Sequence, residues 1–276
     1  MALAAACHAS IPPLWNPRSS AAPNLLPPFA RIVISTRASI PAHSSQVLRD
    51  LASGGLEELL LVRQACESEL SAAAFLRARS FYSYPEGRSI AAQEAHQKYM
   101  ASLEFKTLSS KIAGTEDGFG RVACVVALLP LKDFPPSTDE IRKACKVTVA
   151  GQDLLVVGTL DVNRGRLIPG EISGSRPKDS DPAYKRAYIS NFCVAQEARR
   201  KGVGTALVRE AKRTAREWGV SDLYVHVVTS NEPAFKLYTK SGFVFEAEET
   251  PAESHLLGRP RRKLLWFDLA GLEFES

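Results

Sequence analysis

The chain has 276 residues, 45% hydrophobic and 24% charged, which is the balance of an ordinary globular protein with room for one sizeable domain and a leader. Its longest apolar runs, such as residues 122–130, fall far short of the roughly 20 residues that a membrane-crossing helix needs. The five cysteines (Cys7, Cys66, Cys124, Cys145, Cys193) show no C-x-x-C spacing, so neither a metal site nor a disulfide framework is expected, only small buried thiols in a reducing compartment.

The net charge of +5 is unevenly placed. The first 49 residues hold no Asp or Glu, yet they carry Arg18, Arg31, Arg37, Arg49 and seven of the 17 prolines among clustered Ser and Ala. A basic, hydroxylated, acid-free start is the composition of an organellar transit peptide. The alanine-rich beginning and the prolines suit delivery to the plastid stroma better than a mitochondrial helix. No unbroken apolar core follows a charged start, which argues against a secretory signal. Residues 1–45 are therefore expected to be the leader, cleaved between Ser35 and Ser45, and residues 46–276 the domain. Removing residues 1–37 takes away three arginines and no acid, lowering the net charge from +5 to +2. The basicity is thus largely an address, and neither a nucleic-acid nor a membrane partner is expected.

In chain order, residues 59–64 read as a first strand, and 66–79 and 90–103 as helices separated by the aromatic segment Phe81-Tyr82-Ser83-Tyr84. Residues 121–129 are apolar almost throughout, as expected of a strand covered on both faces. A strand over 154–162 follows, then a loop over 163–185 rich in Gly, Pro, Ser and charge. Residues 188–194 form the next strand, and a helix spans 205–218, with Leu207, Val208, Ala211, Ala215 and Trp218 at three- and four-residue steps. After a strand over 223–228, Asn231 can cap a helix over 232–240, with Pro233 tolerated in its first turn. Strands over 243–245 and 264–269 complete a mixed sheet with helices on both faces.

Between the strand at 188–194 and the next helix stands Arg199-Arg200-Lys201-Gly202-Val203-Gly204-Thr205. A strand turning through glycines into a helix N-terminus leaves unpartnered N–H groups and partial positive charge, a seat for phosphate. Gly202 and Gly204 are expected to remove Cβ atoms that would keep a ligand off those donors. The span does not fit a Walker A loop, and Leu207 stands where a dinucleotide fingerprint needs its third glycine. The bland alternative is a glycine turn with a solvated basic surface.

The order of signals resembles the Gcn5-related N-acetyltransferases from about Leu59 to Leu269. Their acyl-coenzyme A loop, [QR]-x-x-G-x-[GA], is matched by Arg199-Arg200-Lys201-Gly202-Val203-Gly204. Their second motif, N-x-x-A-x-x-x-Y-x-K-x-G-F, is matched by Asn231, Ala234, Tyr238, Lys240, Gly242 and Phe243. The first loop glycine of many members is here Arg200. The resemblance implies an α/β fold (α+β mixed) with a central, mostly antiparallel twisted sheet, and acetyl-CoA as co-substrate. It implies that backbone amides around Cys193, Val194 and Val203, Gly204, Thr205 and Ala206 hold pantetheine and pyrophosphate, with Arg199, Arg200, Lys201 and Gly202 around them. It also implies that Asn231 contacts the pantetheine arm and Tyr238 is the general acid. Tyr188 and His226 resemble the pair that deprotonates the amine in the branch acting on protein N-terminal α-amines. Strand alternation puts Tyr224, His226 and Val228 on one face and Leu223, Val225 and Val227 on the other. Acceptors are expected to be protein N-termini, with lysine side chains in the same site. A small-amine acetyltransferase and a non-catalytic coenzyme-binding module share the same motifs. Phe81 to Tyr84 would grip an acceptor or simply pack, and acids such as Glu171 would meet a cationic substrate or remain solvated.

Overall fold

The computed structural model describes residues 60–84, 87–116, 119–134, 139–164 and 186–271. The expected leader lies outside these residues, as does most of the expected 163–185 loop with Glu171. The strands are β1 (Leu61–Gln64), β2 (Arg121–Pro130), β3 (Lys146–Val149), β4 (Gln152–Arg164), β5 (Arg186–Val194), β6 (Asp222–Val228), β7 (Val244–Glu248) and β8 (Arg262–Asp268). The helices are α1 (Leu70–Phe81), α2 (Ile90–Ile112), α3 (Asp139–Ala144), α4 (Val203–Glu217), α5 (Glu232–Lys240) and α6 (Pro251–Leu256). The strands form one sheet in the order β1-β2-β4-β5-β6-β8-β7, with β3 paired to β4 off this path. The pairing of β5 with β6 is parallel, and the others among the described residues are antiparallel. This is the mixed, mostly antiparallel sheet that was expected.

The two faces are fixed by neighbouring residues of β4, whose side chains must point opposite ways. Thr159 accepts a hydrogen bond from Arg77 of α1 at 3.1 Å. Gly158 faces α4, where an added Cβ would stand 2.9 Å from Leu207 Cδ1 and 3.0 Å from Val203 Cγ1. Helices therefore cover both faces. The apolar run of β2 is buried from Val122 to Leu129, as its composition requires. In α4 the buried residues recur at helical spacing along one stripe, from Val203 through Leu207 and Ala211 to Ala215.

Several boundaries differ from the expected ones. Helix α2 runs to Ile112 rather than residue 103, because it buries little beyond Gln97 and Leu108, and its end is set near Gly114 rather than by an apolar stripe. Helix α4 begins at Val203, with Gly202 as its N-cap at φ +79°. Strand β4 extends to Arg164 and so takes in Asn163, which is buried rather than in a loop. Elements β3, α3 and α6 are four to six residues long, too short for periodicity to reveal. Helix α6 nevertheless carries a legible capping box, Thr250 with Glu253. Of the thiols, Cys124, Cys145 and Cys193 are buried, but Cys66 is exposed.

Candidate active site

The site is built around a fork in the sheet. Strands β5 and β6 are paired only from Arg186↔Asp222 to Ile189↔Val225. Beyond that pair they part, so that residues 190–194 and 226–228 face one another across a gap. A β-bulge lies at this point. Asp161 pairs with Ser190 and Thr159 with Cys193, so Asn191 and Phe192 together oppose Leu160. Asn191 adopts φ +53°, a left-handed conformation that Asn tolerates better than most side chains. Asn163 braces the strand just before the bulge, donating from Nδ2 to Ser190 Oγ at 2.7 Å and to the Tyr188 carbonyl at 3.1 Å. A gap between parallel strands leaves main-chain donors and acceptors for an extended, amide-bearing ligand.

At the open end of β5 comes the basic turn. Arg199 donates from Nε to the Val194 carbonyl at 3.2 Å, tying the turn to the strand. Arg200 stands at φ +65°, where many of the proteins it resembles carry glycine. Arg199, Arg200, Lys201 and Thr205 are exposed. Gly202 caps α4 without a side chain, so no cap competes for the first-turn donors. The Ala206 N–H already donates to the Gly202 carbonyl at 3.0 Å, which removes Ala206 from the expected donor set. The donors without an intrahelical carbonyl are those of Val203, Gly204 and Thr205. Gly204 also departs from its expected role. A Cβ there would meet Leu237 Cδ2 at 3.2 Å and Phe192 Cζ at 3.4 Å, so its lack of a side chain serves the approach of α5 and β5.

Asn231 caps α5, accepting from the Ala234 N–H at 3.2 Å. Its Oδ1 is thereby engaged, leaving Nδ2 as the side chain's donor toward a ligand. Tyr238, on the inner side of α5, is 3% exposed. Its ring stands edge-on to Phe192 of the forked segment at 5.9 Å and to Phe243 at 5.4 Å. Val194 is half-buried, and Cys193 is buried on the Arg77 side. Burial pushes the Cys193 thiol up to about 11, so it is no nucleophile, and its backbone is what the fork can use.

Tyr188 and His226 meet at the apex of the fork, with Tyr188 Oη 2.9 Å from His226 Nδ1 and ring centroids 5.6 Å apart. Tyr188 is level with Tyr224, so His226 lies on the same face, one residue past the last strand pair. Both are buried, beside a small cluster of Tyr188, Tyr224 and Leu264 separate from the main core. The shared face of Tyr224 and His226 expected from strand alternation is what the sheet shows. The aromatic segment is anchored to α2: Tyr84 Oη lies 3.2 Å from His96 Nδ1, and Tyr82 stands edge-on to the same ring. Phe81 packs against the main core.

Several residues that shape the site carry little local signal. Gly158 is the exception, since a glycine inside an apolar strand is a sign of close approach. Asn191, Phe192 and Asn163 acquire their roles from register, which neighbouring residues do not reveal.

A family model described as "Acetyltransferase (GNAT) family" matches residues 136–243. The chain is 44% identical to the GCN5-related N-acetyltransferase 7, chloroplastic, of Arabidopsis thaliana over 204 residues, 74% of this chain and 73% of that protein. It is 31% identical to the GCN5-related N-acetyltransferase 6, chloroplastic, of the same plant over 186 residues, 64% and 58% of the two chains. An N-alpha-acetyltransferase of Sulfurisphaera tokodaii is 35% identical over 70 residues, 25% of this chain and 42% of that protein.

Proposed function

The chain belongs to the GNAT family of acetyltransferases, and from that premise we propose that it transfers acetyl from acetyl-CoA to protein amines in the plastid, N-terminal α-amines first and lysine ε-amines in the same site. The observation that carries the acceptor reading is the Tyr188–His226 contact at the fork's apex, 2.9 Å between Oη and Nδ1. The chloroplastic relatives and the acid-free first 49 residues support the compartment and a leader over residues 1–45.

Acetyl-CoA supplies an activated thioester carbonyl. The N–H groups of Val203, Gly204 and Thr205 at the start of α4 bind pyrophosphate, with Arg199, Arg200 and Lys201 adding charge. The main chain around Cys193 and Val194 and the Nδ2 of Asn231 orient the pantetheine arm. A protonated amine cannot attack, so its proton must first leave. His226 accepts it at Nε2, directly or through a water, while its Nδ1–H donates to Tyr188 Oη. The amine nitrogen then bonds to the carbonyl carbon, the carbon–sulfur bond breaks, and Tyr238 delivers a proton to the departing thiolate.

The test offers the protein without residues 1–45 three acceptor sets with acetyl-CoA: peptides with free N-termini, lysine peptides blocked at the N-terminus, and small amines. Transfer to free N-termini is expected to lead. Transfer to small amines alone would overturn the acceptor assignment. Coenzyme binding with no transfer would make the chain a binding module.

A further inference from the structure

Behind the fork lies a buried polar network that the transfer chemistry does not itself use. Asn191, the left-handed residue of the bulge, donates from Nδ2 to Asp161 Oδ2 at 2.8 Å. Asp161 on β4 also receives a two-point grip from Arg77 of α1, Nη2 to Oδ1 at 2.6 Å and Nη1 to Oδ2 at 3.1 Å. The same Nη2 donates to Thr159 Oγ1 at 3.1 Å and to Cys124 Sγ at 3.4 Å. The side chains of Arg77 and Asp161 are 0% and 1% exposed. Burial works against the guanidinium charge, but Asp161 outweighs it and the proton is held more tightly than usual.

Taking such a pair out of water is costly, and replacing it by apolar groups is often neutral or stabilising. Its contribution must then be sought in geometry. Asn191 is held in a conformation that a side-chain-bearing residue enters at a cost. The bulge it forms lies where β5 leaves β6. The next residue, Phe192, touches both the Tyr238 ring and the space above Gly204.

We infer that Arg77, Asp161 and Asn191 are positioning residues: a tether from α1 through β4 to the bulge that sets the opening of the fork into which the coenzyme's pantetheine arm fits. The inference rests on reading the fork as the acetyl-CoA seat. None of the three touches the reacting atoms, so their effect falls on coenzyme binding rather than on the chemical step.

One variant is Asn191→Gly, which keeps the left-handed backbone at no steric cost and removes the side-chain tether while also freeing the backbone. Its Tm should stay at or above the wild-type value, while amide hydrogen exchange over residues 190–194 accelerates. The Kd for coenzyme A by calorimetry and the KM for acetyl-CoA should each rise about tenfold, with kcat at saturation within about twofold. Arg77→Met/Asp161→Leu, which removes the tether with Asn191 in place, is the decisive variant and should reproduce both the faster exchange over residues 190–194 and the weaker binding without loss of fold. Unchanged exchange would show that the tether does not hold the bulge. Faster exchange with a wild-type Kd would show that the bulge does not set the seat. Either overturns the inference. If the wild-type protein bound no coenzyme A, the proposed function would fail instead, and exchange alone would still decide whether the tether holds the bulge.

Discussion

At the scale of single residues, the proposed mechanism divides the chemistry among three side chains. Tyr238 is buried against Phe192 and Phe243, and the proposed mechanism has it give a proton to the departing thiolate. Tyr238→Phe should therefore lower kcat by about 10²–10⁴-fold, the worth of a general acid, with little change in the Kd for coenzyme A. An unchanged turnover would remove Tyr238 from that role. In the proposed mechanism His226 takes the amine proton and Tyr188 orients its ring through the contact at Nδ1. His226→Gln should cost at least about a hundredfold in kcat, and Tyr188→Phe, which removes only the orienting partner, about tenfold. Equal losses would mean that the phenol carries the proton. The motif residues Asn231 and Tyr238 were legible because caps and motifs are local. The contact between Tyr188 and His226, 38 residues apart, needed two strands to pair in one register.

Secondary-structure elements meet at the site through glycines. At Gly204 the contacts of 3.2 Å to Leu237 and 3.4 Å to Phe192 leave no room for a methyl group without displacement. Gly204→Ala should destabilise the protein by about 1–3 kcal/mol through overpacking, and shift α5 with Tyr238 on it. Lower Tm together with lower kcat is the expected pattern, and wild-type values for both would show that Leu237 simply turns aside. The β7–β8 edge depends on charge. Glu249 is buried with Arg259 at 2.6 Å and Arg262 at 2.9 Å. Burial alone would raise its carboxyl, but hydrogen bonds and charge from the two arginines pull it down from 4.5 to about 2. A carboxyl that holds its proton less tightly folded than unfolded contributes its stability above about pH 4.5 and loses it as pH falls toward 2. Glu249→Gln should destabilise by about 3–5 kcal/mol at pH 7. The Tm difference from wild type should shrink between pH 4.5 and 2, and a difference independent of pH would exclude this origin.

Over the whole molecule, charge and fold separate. Deleting residues 1–45 should leave Tm and acetyl transfer unchanged, while a fusion of that segment to a reporter should be delivered to plastids. Loss of activity on deletion would assign the segment to the domain instead. The sheet places the basic turn at the fork's open end and the Tyr188–His226 pair at its apex.

The sequence by itself determined the family, the order of the main strands and helices, the basic glycine turn and the two motifs. The family was legible through the resemblance of the two motifs, and the elements and the turn through backbone preferences, caps and periodicities that act within a few residues. The tertiary structure alone decided the bulge at Asn191, the parting of β5 from β6, and the packing role of Gly204. It also joined Arg77 to Asp161 across 84 positions. The physical reason is register: local patterns tell a strand which face is apolar, but only pairing with its neighbours fixes which residues stand opposite one another.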